Sequence, residues 1–117
     1  MTYVDGFILA VPKDKIDAYR EMAELGCKVW MECGALSYVE TIADDVPYGE
    51  VTSFPRAVIA NEGETVAFSW ITYRDRAHRD EVNRKVMADP RMKFDPASSP
   101  VDMKRMIYGG FSAIVQN

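Results

Sequence analysis

A carboxylate stands at position 5, between Tyr3 and Phe7 on one face of the apolar run that opens the chain. In such a place it has to be paired, hydrogen-bonded or protonated, because an isolated buried charge is too costly. Lys104 and Arg105 are basic residues near the start of a candidate last strand, and Tyr108 and Trp70 offer a hydroxyl and an aromatic wall. Asp5, Trp70, Arg105 and Tyr108 are therefore the candidate ligand-binding residues. The other role open to Asp5 is a structural polar network, since ion-pair networks also perturb ionisation without doing chemistry. No second acid or base is tied to Asp5 by a catalytic spacing, so the sequence assigns no catalytic residue.

The remaining reactive groups carry less. Asp44 and Asp45 are adjacent carboxylates on a turn; bonding to local backbone N–H groups is the ordinary use of such a pair, and a cation needs more converging oxygens. Arg91, in Asp89-Pro90-Arg91-Met92, is either an anion clamp or a partner of Asp89 or Asp95. Cys27 and Cys33 are six apart in one helical stretch, so about 120° separates them around the axis. That placement disfavours a disulfide and fits no zinc spacing; two reduced, mostly buried thiols are expected. His78, the single histidine, lies in the charged stretch 74–85 and is expected at the surface. Gly109-Gly110 lacks the phosphate-loop pattern and reads as a bulge or a close backbone approach. The methionines, Met103 and Met106 included, read as core or interface filler. Neither a metal nor a cofactor is expected.

These groups need elements to hold them. Residues 3–11 alternate with both faces largely apolar, which predicts a strand covered on both sides and stopped by Pro12. Asp14 and Asp17 favour a helix start by capping or by charge. Ile16, Tyr19, Met22, Ala23, Gly26, Cys27, Trp30 and Cys33 recur at steps of three and four, one apolar stripe that ends at Gly34. Residues 35–43 predict a second strand. An insert follows at about 44–63, where Pro47 and Gly49 suit a type I turn. There Ser53 can cap a short helical turn holding Phe54, Ala57 and Val58; a short strand is the alternative. Residues 64–73 are the clearest strand. Asp75 is placed to cap a helix running to about residue 88, residues 90–103 are irregular, and 105–115 predict the last strand.

The order β-α-β-insert-β-α-β predicts an α+β fold, a ferredoxin-like unit with both helices on one face of a four-stranded antiparallel sheet. Its other face is left bare although several strands are apolar there too, and a homodimer packed sheet against sheet is the simplest cover. With 117 residues, the chain forms a single domain, 1–117. Lys and Arg number 14 against 18 Asp and Glu, a net charge of −4, which speaks against a nucleic-acid partner. No apolar run reaches the roughly 18 residues of a membrane span and no signal peptide opens the chain, so no membrane partner and a cytoplasmic location are expected.

Several segments resemble those of the YbaA-like bacterial family of unknown function. They are Tyr3-Val4-Asp5-Gly6-Phe7 with Val11-Pro12, Asp44-Asp45-Val46-Pro47 with Gly49, and Glu64-Thr65-Val66 with Phe68-Ser69-Trp70-Ile71. Asp89-Pro90-Arg91-Met92 and Lys104-Arg105-Met106-Ile107-Tyr108-Gly109-Gly110-Phe111 complete the set. The resemblance spans almost the whole chain. It implies a ferredoxin-like protomer of the dimeric α+β barrel superfamily and supplies no activity and no catalytic residue.

The function expected is a dimeric module that binds a small apolar or amphipathic ligand, or regulates through one. The alternative is a small cofactor-independent enzyme of oxygenase or isomerase type, with its site in the cavity between sheet and helices. A cavity lined by convergent polar groups such as Asp5, Tyr108 and Arg105 favours the enzyme. The same groups satisfied among themselves in a packed core favour a binding or structural role.

Overall fold

The structure is a computed structural model that describes residues 2–117. Its elements are β1 (Tyr3–Pro12), α1 (Ile16–Glu32), β2 (Ser37–Ile42), α2 (Phe54–Ala57), β3 (Glu64–Tyr73), α3 (Arg76–Ala88) and β4 (Ile107–Ser112). The strands form one sheet in the order β2-β3-β1-β4, antiparallel throughout. Setting aside the short α2 of the insert, this is the βαββαβ order expected of an α+β chain.

Register assigns the faces. Tyr3, Asp5, Phe7, Leu9 and Val11 of β1 oppose Tyr73, Ile71, Ser69, Ala67 and Thr65 of β3. This is the helix-covered face. Tyr3, Ile71 and Tyr73 pack there with Val29 of α1 and Val82 and Val86 of α3, and Leu9, Val11 and Ala67 pack with Tyr19 and Val101. On the opposite face the insert covers one end, where Ala10, Val58 and Val66 form a small cluster and Phe54 stands edge-on to Phe68 at 5.8 Å. The rest of that face stays open, with Phe68, Ile107 and Phe111 all exposed.

Most element boundaries follow local chemistry. Asp75 caps α3, its carboxylate accepting from His78 N–H at 2.8 Å. Ser53 caps α2 through Arg56 N–H at 3.2 Å, so the expected helical turn forms there and not the alternative strand. After α1, Gly34 takes φ +113°, a backbone angle that side chains disfavour.

Other boundaries depart from expectation. No side chain caps α1; a 3-10 turn at Lys13–Lys15 leads into it, and Asp17 contributes charge in the first turn. Val29, outside the expected stripe, is fully buried, while Cys27 and Cys33 are free and only half-buried. Residues 46–49 form no turn. Arg56 reaches back to the carbonyls of Tyr48 (3.0 Å) and Gly49 (3.1 Å) and holds this stretch open. β4 starts only at Ile107 because Asp102 caps a 3-10 turn over Met103–Arg105. The glycine pair is a close approach rather than a bulge: β4 keeps unbroken register with β1, and a Cβ on Gly110 would overlap the Tyr3 ring.

His78 is also more engaged than a surface residue. Its Nδ1 accepts from Arg74 N–H at 3.0 Å, its Nε2 lies 3.0 Å from the Gly34 carbonyl, and its ring stands edge-on to Tyr73. A neutral ring protonated on Nε2 satisfies both bonds. It ties the start of α3 to the end of α1.

Candidate functional site

The four residues singled out from the sequence occupy three places. Asp5 is buried on the helix face and pairs with Arg79 of α3 at 2.6 Å. Burial pushes its carboxyl above the usual range, partly offset by the Arg79 charge. Tyr108 is on the same face, but on the edge strand β4; it stacks on Phe7 and is largely exposed. Trp70 lies on the open face beside Phe68. Arg105 stands before β4 and binds Glu64 through two hydrogen bonds, at 2.8 and 2.9 Å. Asp5 and Arg105 are each paired locally, and the four do not converge.

A cavity of about 570 Å³ lies elsewhere, between the helix face of the sheet, α1 and the segment 92–106. Its floor comes from Phe7, Leu9, Ser69 and Ile71, one side from Tyr19, Ala23 and Trp30, and its cover from Met92, Phe94, Met103 and Met106. The covering segment is irregular, as the sequence suggests, yet ordered by a repeated device. Asp89, Asp95 and Asp102 each accept from the backbone N–H two residues on, at 2.9 to 3.0 Å, and each starts a 3-10 turn. In the first two the next residue is proline, which has no N–H to leave unpaired.

The polar end of the cavity is a cluster centred on Glu40. Tyr38, Glu40 and Ile42 share the helix face of β2, because Tyr38 opposes Ile71 and Glu40 opposes Ser69. Tyr19, one helix away, donates to Glu40 Oε2 at 2.6 Å, and Tyr38 donates to Oε1 at 3.0 Å. Burial raises both tyrosines well above their ordinary range, and Glu40 raises them further. They therefore remain protonated donors. Ser69 is buried and faces the cavity beside them.

None of Asp5, Trp70, Arg105 or Tyr108 lines this cavity. The residues that do line its polar end, Glu40, Tyr19 and Tyr38, escape the sequence reading. The signal for Glu40 is nonetheless of the same kind as for Asp5: a carboxylate between Tyr38 and Ile42 on an otherwise apolar strand face. Asp5 still touches the cavity wall indirectly. Asn83 accepts from both Trp30 Nε1 (3.3 Å) and the Tyr73 hydroxyl (3.5 Å), and Tyr73 neighbours Asp5.

The described residues include no helix long and apolar enough to cross a membrane. The family described as "Protein of unknown function (DUF1428)" matches residues 2–103. The chain is 56% identical over 115 residues to the "Uncharacterized protein YbaA" of Escherichia coli strain K12, with 98% of each chain covered. The "Uncharacterized protein YbaA" of Shigella flexneri is similar to the same extent. The chain belongs to the DUF1428 family, whose bacterial members include the YbaA proteins.

Proposed function

We propose that this protein is a cytoplasmic, homodimeric binding module whose protomers each hold a small amphipathic molecule between the sheet and α1. The cavity carries this reading. It has the size of a ligand site, its walls are mostly apolar and aromatic, and its lining includes the connected cluster of Glu40, Tyr19 and Tyr38. Dimerisation is supported by the open sheet face, where Phe68 and Phe111 remain 40% and 65% exposed. Two free thiols suit a reducing compartment.

Native mass spectrometry of freshly purified protein tests both halves of the proposal. The expected species has twice the 13.2 kDa chain mass plus a retained small molecule. Ala23→Leu, which intrudes on the cavity wall, is expected to lose the molecule and keep the dimer. A bare 13.2 kDa species overturns the dimer, and retention undiminished by Ala23→Leu overturns the site.

The enzyme reading has one observation in its favour. A carboxylate bonded to two tyrosine hydroxyls beside a cavity is a possible acid–base group for a cofactor-independent isomerisation or oxygenation. Turnover of a retained molecule, lost in Glu40→Gln, is the outcome that selects it.

A further inference from the structure

We infer that the cavity selects an organic cation, a molecule with an apolar body and a protonated amine directed at Glu40. This rests on the cavity being a ligand site and names the ligand's class. The first ground is charge. Two carboxylates line the cavity, Glu40 and Asp95, and among the described residues no Lys, Arg or His does. Asp5, Glu64 and Asp89, by contrast, each have an arginine: Arg79, Arg105 and Arg91. Glu40 forms no ion pair among the described residues; its partners are two neutral hydroxyls.

The second ground is hydrogen-bond polarity. Having donated to Glu40, the Tyr19 and Tyr38 oxygens present only lone pairs, and the carboxylate oxygens do the same. Ser69 is 2% exposed, lines the cavity, and its hydroxyl has no hydrogen-bond partner among the described residues. It can accept from an occupant as readily as donate. An anion would meet negative charge and mostly acceptors; a neutral alcohol would find hydrogen-bond partners but no opposite charge. An ammonium group finds acceptors, an opposite charge and the faces of Tyr38 and Trp30, whose rings lie 6.1 Å apart.

Octylammonium, octanol and octanoate share a tail and differ in charge, so they serve as probes in isothermal titration calorimetry at pH 7 on the intact protein. The expected order of affinity is octylammonium, octanol, octanoate, with at least about tenfold between the first and last. Glu40→Gln keeps an acceptor for the tyrosines. It is expected to weaken octylammonium by about tenfold and to leave octanol within about threefold. Its melting temperature, measured alongside, confirms that it is folded. Equal binding of octanoate and octylammonium, or a cation preference unchanged in Glu40→Gln, overturns the charge assignment while leaving the ligand site standing. Absence of binding by all three probes overturns the ligand site and this inference with it.

Discussion

The carboxylate of Asp5 and the guanidinium of Arg79 meet at 2.6 Å from positions 74 residues apart, joining the first strand to α3 across the covered face of the sheet. The Arg79 guanidinium also lies 5.0 Å from the centre of the Tyr3 ring, and its side chain is only 17% exposed. Removing the cation strands a buried carboxylate. Arg79→Met is therefore expected to cost on the order of 3–5 kcal/mol at pH 7, and Asp5→Asn added to it should recover much of that loss.

The sign of the pH dependence follows from the direction of the Asp5 shift. Its folded carboxyl binds a proton more readily than the unfolded one, so its contribution is most favourable below the ordinary aspartate range. That contribution is lost as pH rises through the raised folded value. Without Arg79 the folded value rises further and the loss extends to higher pH. Urea midpoints of Arg79→Met should consequently approach wild type at pH 4 and fall well below it at pH 7. Equal midpoints at pH 7 would remove the pair from any account of stability.

How much of this was legible in the sequence depended on distance along the chain. Asp75, Ser53 and Gly34 act within a few residues, and their roles at helix ends follow from their types alone. The burial of Asp5 was readable from its apolar neighbours. Its partner was not, because Arg79 sits among mixed charges that look uniformly solvated, and only the docking of α3 turns it inward. Arg105 shows the converse: its antiparallel strand makes a pair with Asp5 unassured from the sequence, but its actual partner, Glu64, emerges only once the residues before β4 are placed. Glu40 needed two elements at once, since Tyr19 reaches it only after α1 packs on β2.

Glu64 and Arg105 predict the opposite pH behaviour. Two hydrogen bonds from Arg105 hold the Glu64 carboxyl down at about 2. A lowered folded value gives stability that is full above the ordinary glutamate value of 4.5 and is lost as pH falls from there towards about 2. Glu64→Gln is expected to cost on the order of 1–2 kcal/mol at pH 7 and to flatten the stability profile below pH 4.5. Denaturant titrations at a series of acidic pH values check it; a profile as steep as wild type's would show that other carboxylates dominate.

The same arginine also donates to the carbonyl of Ile59 at 2.9 Å. Ile59 has φ +52°, a left-handed angle that is unusual for a β-branched residue, and its side chain is largely exposed. Little packing is lost by removing that side chain, whereas the backbone strain of roughly 1–2 kcal/mol is relieved. Offset by the greater freedom of glycine in the unfolded chain, Ile59→Gly should stabilise by about 0.5–1 kcal/mol. Ile59→Ala keeps a Cβ and should not. Thermal melts that rank the two variants equally would deny the strain.

Gly26 connects the interior of α1 with the Glu40 cluster. A glycine in mid-helix costs about 1 kcal/mol relative to alanine, so propensity alone makes Gly26→Ala stabilising. The site opposes it, because a Cβ at position 26 would stand 2.9 Å from the Tyr38 hydroxyl oxygen, the group that donates to Glu40 at 3.0 Å. The added methyl should displace that hydroxyl and leave one oxygen of Glu40 short of a donor, which costs as much as the helix gains or more. In the wild-type background Gly26→Ala is therefore expected to be neutral or destabilising. In Tyr38→Phe the obstructing oxygen is gone, and the same substitution should stabilise by about 1 kcal/mol. A double-mutant cycle in urea measures the difference between these two effects as a coupling energy. The same size of effect in both backgrounds would mean that Gly26 is not there to seat Tyr38. A coupling of the expected sign ties a helix glycine to the placement of the hydroxyl, and through it to the polar end of the cavity.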